Sequence, residues 1–205
     1  PVFVNGTWYG PVVPYLVDRG IRGVFLATQY ECQFPETWQA VERAKWSVVT
    51  IDRRDAIRKT VEYVAQMGRH RIAVLKRWKD QPTHPFREGF FDACTMLQLG
   101  LDDAFFQEFA PQRSRDDVAR IIARLIEQKN MDALIVCDPL VAHMALDSLT
   151  RQMGCSVPGD VTVISYRDMP SFVDRNPSVS AFEFPWVDIG REIVGMVNTW
   201  TGETR

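Results

Sequence analysis

Short apolar runs alternate along the chain with stretches whose apolar residues recur at helical spacing, the signature of a parallel sheet covered by helices on both faces. Val2–Asn5 reads as a strand, followed by a helix reaching about Arg19, in which Pro11 suits the first turn and Pro14 does not. Gly20 ends that helix. Gly23–Ala27 is a strand, Glu36–Ala44 a short helix and Val48–Ile51 a strand, completing one βαβαβ block. In the next block Asp55 caps a helix with Ile57, Val61, Val64 and Met67 on its apolar face, stopped by Gly68. Ile72–Leu75 is a buried strand, a helix runs from about Phe86 to Leu99 and ends at Gly100, and Phe105–Phe109 is a strand. Ser114 and Asp117 resemble a capping box with Asp in place of Glu. They open the most regular helix, with Val118, Ile121, Ile122, Leu125 and Ile126 on one face. Ala133–Cys137 is a buried strand, Leu140–Met153 a helix stopped by Gly154, and Val161–Ser165 a further strand. Ser180–Phe184 reads as the last strand, and a closing helix covers about Trp186 to Trp200 with Ile189, Ile193, Met196 and Trp200 inward. The fold expected is α/β, doubly wound.

Composition changes this picture little. The 205 residues are 46% hydrophobic and 24% charged with a formal charge of −2, which supplies a core and argues against the chain itself being a nucleic-acid binder. No apolar run approaches the ~20 residues needed to span a bilayer. The chain starts PVFVNGTWYG, which does not read as an export leader. The four cysteines, Cys32, Cys94, Cys137 and Cys155, show no CxxC spacing; Cys94 and Cys137 lie in apolar patterns and read as buried thiols, which suits a reduced, cytoplasmic compartment.

Ligands of open α/β sheets bind beyond the carboxyl ends of the strands. That rule selects Lys76-Arg77-Trp78-Lys79, Asp138-Pro139 and Tyr166-Arg167-Asp168. Aromatic and charged side chains on one rim suit a small polar ligand; alternatively these charges are solvated and pair with one another, as Arg167 and Asp138 could. Searches for catalysis return nothing: no GxSxG, HExxH, GxxxxGK[ST] or GxGxxG is present, and His70, His84 and His143 lack metal-ligand spacing. His143, amid apolar helix positions, reads as a structural histidine. No enzyme, metal or cofactor is expected.

Several segments together resemble the LacI/GalR transcription regulators. Asp132 to Asp138 (DALIVCD) is similar to their "PDAIFAxND", and Val157 to Asp168 (VPGDVTVISYRD) to "VPxDVSVVGxDD". Met67 to Ala73 (MGRHRIA) resembles "xxGHRRIA", Phe86 to Phe90 (FREGF) "xRxxGF", and Asn176 through Gly190 "PPLTTVxxPxxxIG". The five cover most of Val48 to Gly190 in the right order. The resemblance implies the periplasmic-binding-protein-like (type I) effector domain of a bacterial regulator. Residues 1–52 would be a partial N-terminal lobe, 53–180 a C-terminal lobe, and 181–205 a crossover and last helix returning to the first lobe. In that family two lobes close on a sugar or other small effector and so alter operator binding by a separate DNA-binding module in a homodimer; exposed residues such as Trp8 and Tyr9 are dimer candidates. A periplasmic sugar-binding protein of a transporter shares the fold and is the alternative.

By the same resemblance Arg87 sits at the effector-contacting arginine, whose guanidinium can hold two oxygens; the plain alternative is pairing with Glu88 or another acid nearby. Asp138 stands for the Asn of "ND" with Pro139 after it, Arg167 for the first Asp of "DD", and Phe184 near the polar residue after "TTV". With Arg87, Asp138 and Arg167, the rim residues Trp78, Tyr166 and Phe184 form the expected ligand-binding set. A donor has replaced an acceptor at Arg167, which favours an anionic effector such as a sugar acid or sugar phosphate over a neutral sugar. The chain also departs from the family in length: a leading strand and helix, a final strand, and a strand between Ile51 and Asp55 are lacking. A missing central strand would leave its neighbours unpaired, which a stable sheet does not easily tolerate, so the sequence is expected to be a truncated version of a longer natural protein.

Overall fold

A computed structural model describes residues 1–27, 35–77, 85–109 and 114–201. The described chain divides into two compact units, Pro1–Asp52 with Pro185–Arg205, and Arg53–Phe184.

In the first unit the apolar runs become β1 (Val2–Asn5), β2 (Gly23–Ala27) and β3 (Ser47–Thr50), parallel and in that spatial order. All five residues of β2, the middle strand, are buried. The three strands are contiguous, each hydrogen-bonded to the next, and the chain passes from β3 to Arg53, where the next helix starts, with no strand between, as the sequence led us to expect. The single helix expected up to Arg19 is corrected. It is α1 (Gly6–Tyr9), a 3-10 turn over Gly10–Val12, and α2 (Val13–Asp18). The cause is proline: neither Pro11 nor Pro14 can donate a backbone hydrogen bond, and each is tolerated only where a new turn begins. With α3 (Pro35–Arg43), these segments enclose a core of Val4, Val13, Phe25, Val41 and Trp46, the Trp46 indole donating to Ile21 O at 3.0 Å. The last helix, α8 (Trp186–Thr201), packs on β2 and β3 with Ile193 buried and Ile189 and Met196 half-buried. The side chains of Trp8 and Trp200 lie outside the described ones.

In the second unit α4 (Arg53–Gln66) leads to β4 (Ile72–Arg77), α5 (Pro85–Met96), β5 (Phe106–Phe109), α6 (Arg115–Lys129), β6 (Ala133–Val136), α7 (Pro139–Asp147), β7 (Thr162–Ser165) and β8 (Ser180–Ala181). The strands are all parallel in the order β5-β4-β6-β7-β8. Ile72 to Leu75 and all four residues of β6 are buried, as covered faces require. The chain leaves β4 toward β5 and returns past it to β6. Right-handed crossovers therefore put α4 and α5 on one face and α6 and α7 on the other. Between the carboxyl ends of β4 and β6 lies the switch point.

Local details follow the side chains. Asp55 is not the cap expected: α4 begins two residues earlier, and the Asp55 carboxylate, within its first turn, takes Arg58 and, at 2.7 Å, Lys59. Met67, expected on the inward face, lies past the end of α4 and is exposed. Ser114 does form a capping box, its N–H donating to Asp117 at 2.9 Å. The expected helix after Leu140 is α7 plus a π-turn over Ser148–Gln152, and the expected strand Ser180–Phe184 pairs only over Ser180–Ala181.

The segments carrying the family likeness lock the amino ends of the strands. Asp132 accepts from the backbone N–H of His70 (3.0 Å) and Arg71 (2.9 Å). Arg71 donates to Lys129 O, and Arg69 to the carbonyls of Pro158 and Gly159 at 2.5 and 2.7 Å. These are side-chain ties between loops that precede β4, β6 and β7.

Candidate functional site

The carboxyl edge of the second unit carries a connected aromatic cluster. Tyr166, the residue after β7, is buried; Phe86, in the first turn of α5, meets it edge-on at 4.6 Å between ring centroids. Phe184 meets the same ring at 5.3 Å and Phe182 stacks on it at 5.8 Å. The backbone N–H of Phe182 donates to Ser165 O at 2.8 Å, which extends the β7–β8 pairing just far enough to bring both phenylalanines to Tyr166. Of the expected set, then, Tyr166 and Phe184 come together. Phe86 and Phe182 join them without having been singled out as site residues; for Phe182 the visible signal was its alternation with Phe184 in a strand pattern.

Arg167 follows Tyr166 with an exposed side chain. Its backbone is held by Ser165, whose hydroxyl donates to Arg167 O at 2.6 Å. Asp138 caps α7, its Oδ1 accepting from Leu140 N (2.9 Å) and Val141 N (3.2 Å). Trp78 lies outside the described residues. Arg87 is held apart from the aromatic cluster. Its guanidinium pairs with Asp103 at 2.6 Å and lies over the rings of Phe91 and Phe106, at 4.9 and 5.5 Å. The pairing with Glu88 does not form; Glu88 faces Arg54 at 3.5 Å. The structure thus turns the Arg87 head to the β5 flank, because a carboxylate and two ring faces are offered there together.

Lys76 was read as the first residue of a loop. It is still in β4, 6% exposed, in register with Glu108 of β5 and with its Nζ 5.5 Å from the Phe86 centroid. Burial pushes its pKa down to about 8, with Glu108 opposing the shift and Arg53 adding to it. The neighbouring Cys137 thiol is pushed up to about 12 by burial and is neutral at ordinary pH. Cys94 is raised likewise, as its buried-thiol reading expected.

One Ser–His contact invites a catalytic reading. His143 Nε2 lies 3.0 Å from Ser171 Oγ, and Arg175 Nη1 lies 2.9 Å from His143 Nδ1. Because a guanidinium only donates, Nδ1 must accept, and the proton of the neutral ring sits on Nε2. Ser171 then receives a hydrogen bond from the ring, so His143 is not arranged to take its proton. Arg175 also reaches Asp147, which Arg115 approaches at 3.3 Å. Burial raises the Asp147 pKa and these guanidinium groups outweigh it, holding the carboxyl below its usual value. The cluster fastens the β7–β8 loop to α7.

It also carries a pH signature. Burial, reinforced by the Arg175 charge and opposed by Asp147, holds His143 below 6.5. The unfolded chain therefore binds the proton first, so this contribution to stability is complete above about pH 6.5 and fades as pH falls through the folded value. Urea midpoints should drop between pH 7 and 5 in the natural chain and drop less in His143→Gln. Equal slopes would remove His143 as the cause.

An open depression of about 400 Å³ lies elsewhere, between the ends of α4 and α5, lined by Gln66, His70, Met96 and Leu99, and holds none of the rim residues. Among the described residues no acidic, histidine or cysteine cluster could hold a metal ion, and no helix is long and apolar enough to cross a membrane.

A sequence profile of the family described as periplasmic binding protein-like domain matches residues 61–203. The chain belongs to this family. The LacI/GalR likeness read from the sequence is borne out at that level and in the fold of this periplasmic binding protein-like domain. A LacI-family regulatory protein from Chloroflexus aggregans superposes with a TM-score of 0.75 at 18% identity, over 96% of this chain and 76% of its own. The Escherichia coli transcriptional repressor AscG gives 0.74 at 18%, over 98% and 78%. A sugar-binding LacI-family regulator from Escherichia coli, complexed with phosphate, gives 0.73 at 18%, over 95% and 74%. No protein of curated function matches the sequence.

Proposed function

We propose that this chain is the effector-sensing domain of a bacterial transcription regulator and that the carboxyl edge of its second unit takes a small anionic ligand, a sugar acid or sugar phosphate. The observation that carries the reading is the rim itself: the Phe86–Tyr166–Phe184 rings at the switch-point edge, with the Arg167 cation directly after Tyr166. Rings cover the apolar faces of a sugar, and a guanidinium offers paired donors to a phosphate or carboxylate. The regulator from Escherichia coli solved with phosphate is consistent with such a ligand. Arg87 serves this reading as a cation that would have to leave Asp103, itself largely exposed, to reach the ligand. Operator DNA is bound by a separate module and the working form is a homodimer in the cytoplasm. Tyr9, 64% exposed, is one residue available for association. An effector acts here only by binding two arrangements of the domain unequally.

Calorimetry with gluconate, glucose 6-phosphate and glucose tests the proposal. The anionic ligands should bind, and Arg167→Ala should weaken them about tenfold, the effect of one charge-assisted hydrogen bond. Binding of glucose alone, unaltered in Arg167→Ala, would sink it.

A further inference from the structure

We propose that His143 and Arg175 form a proton-operated latch: adding a proton to the His143 ring releases Arg175 and loosens β8, which leads Phe182 and Phe184 to Tyr166. The effect on β8 needs no ligand; its consequence for binding rests on the sensing reading above. β8 is held by little. It pairs with β7 only at Ser180 and Ala181, followed by the bond from Phe182 N–H to Ser165 O. The chain approaches β8 through Arg175, both of whose Nη atoms are engaged on α7. Nη1 donates to His143 Nδ1 at 2.9 Å and Nη2 donates to Asp147 Oδ1. A proton disturbs both contacts. It enters the ring at Nδ1, since Nε2 already carries one and donates to Ser171 Oγ. Nδ1–H then meets a guanidinium N–H, donor against donor, and the charged ring meets a second cation at contact distance. The imidazolium also competes for Asp147, which lies one turn further along the same helix. Ser171 and the buried Phe172 keep their places, so what comes free is the chain from Arg175 toward β8.

The charged groups that act on the ring are Arg175 and Asp147. Arg115, at the head of α6, and Arg151, in the π-turn, approach Asp147 at 3.3 and 3.9 Å. β6 and β7, on which α7 packs, contain no titratable residue. The three guanidinium groups hold the Asp147 carboxyl below its usual value, so it stays ionised in mild acid and His143 is the group that titrates. Burial and the Arg175 charge keep His143 below 6.5, so the ring is neutral and the latch closed at neutral pH. It opens as pH falls through the folded value. By linkage, a ligand that needs the closed arrangement opposes the proton, so binding should lower the His143 titration further.

The experiment is hydrogen exchange of the full chain at about pH 7.5 and about pH 5, either side of the histidine range. Two variants are compared with it. In His143→Gln the amide accepts from Arg175 and donates to Ser171 without titrating. His143→Lys places a cation beside Arg175 at both pH values. Chains are compared at equal pH, so the intrinsic exchange rate is shared, and His70 and His84 are present in all three. The natural chain should match His143→Gln in Phe182 amide protection at neutral pH and fall about fivefold below it in acid, the low end of ordinary coupling between sites. His143→Lys should be low at both, and the Tyr166 amide, bonded to Val136 O within the sheet, should not differ. Calorimetry with gluconate, ionised throughout this range, should show affinity falling toward acid in the natural chain and holding in His143→Gln. The His143 ring titration, followed by NMR, should move down when gluconate is added. Folding of each variant is read from its urea midpoint. Equal Phe182 protection in the natural chain and His143→Gln in acid overturns the latch, whatever binds. The Phe182 difference without any gluconate binding supports the latch and counts against the anionic-ligand reading.

Discussion

Gly89→Val should destabilise the second unit by about 3 kcal/mol or more, as read from the urea midpoint. A Cβ at this position would lie 2.2 Å from the Arg54 carbonyl oxygen and 2.4 Å from Ile57 Cγ2. Neither obstacle can step aside. The carbonyl belongs to the backbone of α4, and Ile57 is fully buried between that helix and the sheet. The close crossing of α4 and α5 that results is also what delivers Phe86 to the rim, three residues before Gly89 on the same helix. Forcing the helices apart therefore costs packing and displaces Phe86 together. A helical glycine in open space gives the contrast. Gly190 of α8 has no atom within 4 Å of its added Cβ, so Gly190→Ala should stabilise by roughly 0.5–1 kcal/mol through helix propensity alone. Similar losses from both substitutions would show that helix crossing is not what Gly89 provides.

How far the sequence disclosed this molecule depends on which physical term decides each feature. The buried strands were legible because a strand covered on both faces must be largely apolar, as β2, β6, Ile72 to Leu75 of β4 and the Val163–Ile164 centre of β7 are. The capping box at Ser114 was legible because its two partners are three residues apart. The family segments were legible too, and the structure shows what they do: Asp132, Arg69 and Arg71 tie loops at the amino ends of the strands, away from the rim. They disclosed the fold and said little about the ligand. What resisted reading was decided by contacts between residues distant in the chain. Arg87 faces Asp103 and two phenylalanines, which its place in a motif could not reveal. Lys76 follows an apolar run as loop lysines do, yet stays in the strand because Glu108 on the neighbouring strand shares its register. The break at Gly10–Val12 was half visible in Pro11 and Pro14.

Phe172→Ala should cost about 3–5 kcal/mol, the range for deleting a buried aromatic side chain. Phe172 is 1% exposed and its ring centroid lies 4.9 Å from that of His143. It is the apolar anchor of the β7–β8 loop, whose polar anchors are Ser171 on His143 and Arg175 on Asp147. The loop also contains Arg167, so the substitution should reach binding as well as stability. With the anchor gone, Arg167 keeps only the Ser165 tie to its backbone, and ordering its side chain around a ligand costs more conformational entropy. Affinity for glucose 6-phosphate should therefore fall along with the unfolding free energy. Phe172→Leu separates the two effects by keeping an apolar anchor of smaller volume, so it should recover most of the affinity while recovering only part of the stability. If Phe172→Ala binds as the natural chain does under conditions where both remain folded, the loop does not position Arg167, and the guanidinium reaches its ligand from a mobile tether.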